Sequence, residues 1–554
     1  MSVRLARGTG AQRGTGDPSV ARRTLGALAL VEGWRLLRHP ATLVGLAGAV
    51  WWLAVDGRGA LPVLDRADVT TAAAVLPLAG GVFLAANQAA LRSRRHGTDE
   101  LDGTLPAAPA IRTGAHLVAL AGVVALAATL AAAKLAWFAA TGAVKAPSLA
   151  EAAVGPAVVA LAGVLGVLVA RWAPSLVVGP VVLLALVVLG FLQVDRLTGG
   201  DRLPRYLWLR PWHDLRPPRE VAYRPAGWHL LYLAALCALP ATLALARHGR
   251  SARLTVAGGL VVVVLAGSGW AQLRLAPPAT ETAIVQAVER PQASQACEQR
   301  GSVRYCYYPG YRPWVGHWAA AVAPVLARLP APARSRPAEV RQDVGELWQL
   351  DGLSSHAAKR LLTGARWHVD VDRVIPVGMA WRLGRGGEAD AFDLALRTAA
   401  LAVGLPLELR APGEAGGVCD TNGQARGVVA LWLAGQSRPG APQGLRAIFA
   451  AQPSAPEAKR YFVEDVGAGP GVGFAGRIPP PWLYSSTDGS YALELLDRPA
   501  EQVAAAIRLR WGRLTNPATP TAELVSALGL RPSPAFSARS GTSGHPDWQP
   551  PPCR

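Results

Sequence analysis

Few residues in this sequence are of the type and spacing that chemistry needs. His368, Asp370 and Asp372 alternate, so on a strand they would project from one side as a possible metal edge. A half-exposed strand carries such polar residues without any ligand, and that plainer reading is preferred. His317 lies between Trp314 and Trp318 and is expected to pack on a helix. No HExxH, GxSxG or activated Cys–His pair is visible, so no catalytic residue, metal or cofactor is assigned. No GxxxxGK[ST] phosphate loop is present and Lys is nearly absent, so the chain is not itself an ATPase.

Cysteine usage separates the chain into two parts. Cys237 sits in an apolar run, where a small buried thiol is ordinary. Cys297, Cys306, Cys419 and Cys553 all fall in the polar half. Their even number and lack of CxxC spacing favour two disulfides in an oxidising compartment over metal binding. Four cysteines allow three connectivities. The stretch 297–306, with Gly301-Ser302 as its turn and Val303 and Tyr305 alternating with polar residues, reads as a hairpin. Closing it locally would leave Cys419 to meet Cys553.

These residues must be positioned by the rest of the 554-residue chain, whose composition shifts near residue 276. Residues 1–40 carry seven Arg and no small-residue cleavage site, unlike a removable signal peptide. Residues 41–275 are packed with Ala, Val, Leu and Gly and form the expected transmembrane domain. Residues 276–531 are ordinary in polarity and form a second domain, and 532–554 is a Ser/Pro-rich tail. The net charge of +19 comes almost wholly from Arg beside apolar runs. That placement marks membrane flanks rather than a nucleic-acid surface, and no nucleic-acid partner is expected.

Seven apolar runs approach the roughly 20 residues that cross a bilayer: Thr42–Val55, Val69–Leu91, Gly114–Thr141, Ala152–Arg171, Ser175–Gln193, Gly227–Ala246 and Leu254–Leu275. Ahead of them, Thr24–Arg38 places Ala27, Leu30, Trp34 and Leu37 on one face, which predicts an amphipathic helix lying in the interface, broken by Pro40. Arg92, Arg94 and Arg95, and Arg247, Arg250 and Arg253, mark the inner side, whereas Asp56–Asp68 is net acidic. Seven crossings then put the N-terminus in the cytoplasm and the cysteine-bearing domain outside. The loop Asp195–Arg224 runs against this, with seven Arg on the outer side. Lys134, near the outer end of the third span, is expected to snorkel to the headgroups. Trp51, Trp52, Trp137, Trp172, Trp228 and Trp270 fall near span ends, as an aromatic belt does.

The loop after the second span is the most informative segment. It reads Arg92-Ser-Arg-Arg-His-Gly-Thr-Asp-Glu100-Leu-Asp-Gly-Thr-Leu-Pro106, followed by Arg112. Thr98 is suited to cap a short helical turn, Asp99 and Glu100 to its positive end, and Pro106 to stop it. This run resembles the coupling-helix region of ABC-2-type transporter permeases, in which an Arg-rich stretch leads into Gly-Thr-x-Glu-Leu-x-x-Thr-Leu-Pro. The helix ahead of span one is similar to that family's elbow helix. The resemblance covers the first 275 residues or so. It implies that Glu100, Leu101, Thr104, Leu105 and Pro106 dock on a separate ATP-binding cassette subunit, and that two permeases, alike or different, surround the pathway. A seventh span and a large external domain depart from the usual six-span pattern, and in this the chain resembles actinobacterial permease-like proteins with a C-terminal ectodomain.

The fold expected is therefore a polytopic α-helical membrane domain followed by a mainly helical α+β extracytoplasmic domain. In the latter, helices are predicted at Val315–Arg328, Asp390–Ala402, Gln424–Ala434, Ala500–Leu514 and Thr521–Leu528. A strand is predicted at Arg366–Pro376, and Pro277–Arg290 as a linker. The function expected is the membrane-spanning subunit of an exporter in the cell membrane. The alternatives are a membrane-anchored sensor or assembly protein, and a membrane-bound hydrolase with an outward site.

Overall fold

A computed structural model describes residues 18–56, 61–98, 107–197, 225–249, 251–289, 291–336, 338–342, 374–379, 381, 387–407, 419–437, 440–442, 482–483, 486–531 and 552–553. The first part is a helical bundle. Its elements are α1 (Pro18–Leu37), α2 (Pro40–Val55), α3 (Leu64–Ala74), α4 (Leu76–Ala90), the short α5 (Arg92–Arg95) and α6 (Pro109–Ala140). They continue as α7 (Leu149–Ala152), α8 (Val154–Trp172), α9 (Val178–Leu197), α10 (Ala226–Ala246) and α11 (Ala252–Glu289).

Five helical stretches are long and apolar enough to cross a membrane: Thr70–Ala90, Pro109–Ala140, Leu149–Trp172, Ala226–Ala246 and Ala252–Arg274. The apolar helices Pro40–Val55 and Val178–Leu189, where two further spans were expected, are shorter. Proline sets the breaks. Pro40 occupies the first turn of α2 and holds His39 extended at ψ 133°, because its ring disfavours a helical residue before it. Val75 and Pro77 divide α3 from α4 in the same neighbourhood of the bundle.

The bundle closes through glycines. A Cβ on Gly45 would lie 2.5 Å from the Pro77 carbonyl oxygen, and Cβ atoms on Gly81 and Gly166 would collide with the carbonyl oxygens of Ala41 and Phe83. Close backbone approach of this kind gains dispersion contacts where no water is present to drive burial. The outer surface is apolar: Leu30, Val44, Trp51, Leu184, Val256 and Val263 are exposed. All large exposed hydrophobics among the described residues, save Leu509, lie between Val20 and Trp270. A lipid-facing bundle and a water-facing second part account for that division.

Two elements depart from the sequence expectation. The α1 helix does not lie across the end of the bundle. Leu25 packs at Gly114, Gly33 at Ala119 and Leu37 at Gly122, so α1 ascends beside the first turns of α6. Small residues on both helices allow this alignment, while Leu30 and Trp34 face outward. The expected linker Pro277–Arg290 is also not extended, because α11 runs through Pro277 and Pro278 to Glu289.

The second part begins with β1 (Ala296–Arg300) and β2 (Val303–Tyr307), the expected hairpin, turning at Gly301 with φ +60°. Cys297 faces Cys306 across the antiparallel pair with Cα atoms 4.1 Å apart, and the two are bonded. From β2 the chain crosses by α12 (Val315–Arg328) to β3 (Ala338–Gln342), which pairs parallel with β2 and with β4 (Val374–Val377). Parallel neighbours need such a crossover helix. Trp318, Val322 and Val325 of α12, with Trp314 just ahead of it, are buried in one core with Val340 and Ile375 of the sheet. Burial pushes the Tyr305 hydroxyl up to about 12.

The remaining elements are α13 (Gly387–Ala402), β5 (Cys419–Asp420), α14 (Ala425–Ala434), β6 (Trp482–Leu483), α15 (Ser486–Leu496), α16 (Ala500–Leu509) and α17 (Thr521–Leu528). The predicted helix over 500–514 is interrupted at Arg510, whose φ of −112° starts a separate turn. α14 is buried on every side. Cys553 is bonded to Cys419 and 2% exposed, so the Ser/Pro-rich tail is fastened into the domain core at this residue. Most of the strand predicted at 366–376 lies outside the described residues, as do His368, Asp370 and Asp372. His317 does not pack on its helix: it is exposed, while Trp314 and Trp318 on either side turn inward.

Candidate coupling face

The arginines gather at one end of the bundle. Successive helices bring Arg92, Arg94 and Arg95 on α5, Arg112 at the start of α6, Arg171 at the end of α8, and Arg247 after α10 to that end. The second part of the chain joins the opposite end, where α2, α6 and α11 arrive. Thr113 and Lys134 bracket the stretch of α6 between the two ends. Their 21-residue separation spans roughly 30 Å at a helical rise, the thickness of a bilayer's hydrocarbon core.

The five residues expected to dock, Glu100, Leu101, Thr104, Leu105 and Pro106, lie outside the described residues. Both flanks of that loop are described. On the entry side, α5 ends in a turn at Gly97, with φ +66°. There the Thr98 amide and hydroxyl both donate to the Ser93 carbonyl, at 2.8 and 3.3 Å. Thr98 thus closes the preceding helix; the turn it was expected to cap lies outside the described residues. On the exit side, Pro109 opens α6, where its missing N–H costs nothing.

One carboxylate joins the entry flank to α1. Glu32 is largely buried, and its Oε1 accepts from Arg92 Nη1 at 2.7 Å and from Arg35 Nη1 at 3.0 Å. His116 Nδ1 of α6 stands 3.9 Å from Oε2. A charge-assisted bond this short, away from water, holds α1 against α5 at the loop's entry; to α6 the carboxylate is only a near neighbour, and α1 meets that helix through the Leu25, Gly33 and Leu37 packing. Glu32→Gln should keep an acceptor but strip the charge. The expected loss is about 2 kcal/mol, read as a lower melting temperature in nanodiscs, with Glu32→Asp restoring little because its reach is a methylene shorter. Beside this cluster, His248 Nε2 meets Thr113 Oγ1 at 2.8 Å. Burial and the nearby Arg171, Arg247 and Arg112 charges hold its imidazole below its ordinary range.

At the other end, Lys134 turns to the backbone at the end of α2. Its ammonium donates to the carbonyls of Leu53 and Asp56 at 2.6 and 2.8 Å and lies 4.1 Å from the Phe138 ring centre. It satisfies carbonyls that the end of α2 leaves unpaired. The six tryptophans of the expected belt are all exposed, from Trp52 at 40% to Trp51 at 68%.

Several polar residues inside the bundle escaped the sequence reading. Asn87 Nδ2 donates to the Gly166 carbonyl at 3.1 Å, which binds α4 to α8. His229 Nδ1 and Gln272 Oε1, 2.9 Å apart, join α10 to α11. Asp65, Asp68 and Glu151 are buried near the end that the second part of the chain joins. Only Glu32 carried a readable signal, since it and Asp17 are the sole acids in the first forty residues. Among the described residues no group of His, Cys, Asp and Glu is arranged to hold a metal.

No protein-family model matches this sequence. No characterised protein and no solved structure matches it either.

Proposed function

We propose that this chain is the membrane-spanning permease subunit of an ABC-type transporter, of the ABC-2 kind, driven by a separate ATP-binding subunit. The observation that carries this reading is the Glu32 tie. The α1 helix is bound through this carboxylate to Arg92 at the entry of the Glu-Leu/Thr-Leu-Pro loop and packs along the first turns of α6 at its exit, and this at the Arg-rich end. A motor docked on Glu100, Leu101, Thr104, Leu105 and Pro106 would push on α4, α6 and α1 together. The chain contributes no catalytic residue and requires no cofactor; the direction proposed is export.

Seven crossings complete the proposal. The 16 residues of α2 reach only about 24 Å, and the rising end of α1 supplies the missing depth. The 20-residue α9 supplies the fifth crossing. The positive-inside rule then places the Arg-rich end and N-terminus in the cytoplasm, and the two disulfides outside. A dimer of permeases, identical or paired with a relative, would enclose the pathway.

The test is co-purification of the full chain with ATP-binding cassette subunits encoded beside its gene. Wild type is expected to retain such a subunit and Glu100→Arg to lose it. A chain that never retains one is not a permease subunit, whereas retention by the variant overturns only the docking assignment. A membrane-anchored sensor is the second reading. The grip of the C-terminal domain on the bundle favours it.

A further inference from the structure

We propose that the C-terminal domain governs the Arg-rich end of the bundle through a two-loop strap and one helical rod. The strap consists of Leu61–Val63, after α2, and Val144–Lys145, after α6. The Val144 amide donates to the Pro62 carbonyl at 3.1 Å and the Leu64 amide to the Val144 carbonyl at 3.0 Å. The Leu61 amide donates to the Trp381 carbonyl of the C-terminal domain at 2.6 Å. Val63 and Val144 are buried in the same core as Tyr308, Tyr311, Trp314 and Ile375. The domain core is thus completed by residues of the bundle.

Lys145 tightens the contact. It holds φ +70°, a conformation few non-glycine residues adopt, and its ammonium lies 5.1 Å from the Tyr311 ring centre. Gly310 makes room for it: with φ +91°, a Cβ there would fall 2.7 Å from Lys145 Cδ.

The rod begins where the strap ends. Val63 leads directly into α3, and α3 joins α4 through Val75 alone. Hydrogen bonds cross this joint, Val75 N to Thr71 O at 3.3 Å and Ala79 N to Val75 O at 3.0 Å. Leu91 joins α4 to α5 in the same way, with Leu91 N to Asn87 O at 3.1 Å and Arg95 N to Leu91 O at 3.0 Å. The three helices are therefore hydrogen-bonded end to end through two single-residue joints from Leu64 to Arg95, a path of about 48 Å at a rise of 1.5 Å per residue. Most of α4 is buried, so it has little freedom to bend sideways. A displacement of the strap is delivered to the turn at Arg92–Thr98, the entry flank of the candidate loop. Two further bonds hold the head of the rod to the loops, Thr70 Oγ1 to Asp56 Oδ2 at 3.0 Å and Ser148 N to Asp68 Oδ2 at 2.8 Å.

This coupling makes the C-terminal domain a regulator whose output is the position of the Arg-rich turn, and it holds whether or not a motor docks there. Hydrogen exchange of the full chain in nanodiscs tests it without any partner. Val144→Asp places a charge in the shared core and should release the strap. The amides of Arg95–Thr98 are then expected to exchange at least threefold faster, while β2 and α12 keep their protection. Should the Asp variant open β2 and α12 as well, Val144→Ala, which removes only two methyl groups, decides the matter by the same comparison. Wild-type exchange at Arg95–Thr98 in a variant whose domain stays protected would overturn the proposal. So would faster exchange there only when the domain core itself opens.

Discussion

Arg426→Met is expected to lower the melting temperature of the C-terminal domain by about 10 °C or more. The side chain is 1% exposed on α14. Its Nη2 donates to the Cys553 carbonyl at 2.6 Å, Nη1 to the Gly404 carbonyl at 2.9 Å and Nε to Gln424 Oε1 at 2.9 Å. Gln424 Nε2 adds a second bond to the Cys553 carbonyl at 3.0 Å, and the Cys553 amide donates to the Asp420 carbonyl at 2.9 Å. Burial lowers the guanidinium pKa, yet the group gathers three separate segments. Methionine fills part of the stem volume and makes none of those bonds. Stranding several buried acceptors costs about 3–5 kcal/mol in comparable buried networks, a large share of the 5–15 kcal/mol that holds an ordinary domain together. Arg426→Lys should recover part of the loss, since an ammonium reaches fewer of the acceptors. Differential scanning of the full chain, with proteolysis reporting on residues 387–531, measures this; a shift below about 2 °C for methionine would contradict it. Cys553→Ser should act on the same knot from the unfolded side. It frees a loop of 134 residues, worth up to about 5 kcal/mol in chain entropy.

Gly81→Leu should prevent the bundle from assembling. A Cβ at Gly81 would run into the Ala41 carbonyl and stand 3.3 Å from Gly45 Cα, so even the first added carbon forces α2 and α4 apart. Overpacking costs about 1–3 kcal/mol where neighbours can yield. Here the obstacle is backbone on a helix that is itself locked at Gly45 against Pro77, and the penalty should be several times larger. Lost α2 packing also takes Leu53 and Asp56 away from Lys134. The expected result is an aggregated profile in size-exclusion chromatography of the detergent-extracted protein. Gly259→Leu is the matched control, because a Cβ there meets nothing within 4 Å, and it should elute as wild type. A monodisperse Gly81→Leu protein with wild-type stability would show that the α2–α4 contact contributes little.

The membrane character, the helix positions and the hairpin disulfide were legible because each rests on local rules. A run of Val, Leu and Ala records its own burial in lipid. The predicted helix at Val315–Arg328 matches the structure residue for residue, since its Val and Trp recur at helical spacing. Cys297 and Cys306 meet because a hairpin leaves them nowhere else to go. The continuation of α11 through Pro277 and Pro278 was misread because paired prolines usually break a helix.

Partnerships between distant residues were decided only by the tertiary structure. Nothing near Glu32 in sequence announces Arg92, and Lys134 on a greasy helix looks the same whether it reaches headgroups or carbonyls. Val63 and Val144 read as ordinary loop residues, yet they fill the core of a domain that begins more than a hundred residues later. The physical reason is the same in each case. Apolar periodicity reports how much surface a residue must hide, whereas a hydrogen bond or a shared core depends on which surface arrives opposite, and only the folded chain settles that.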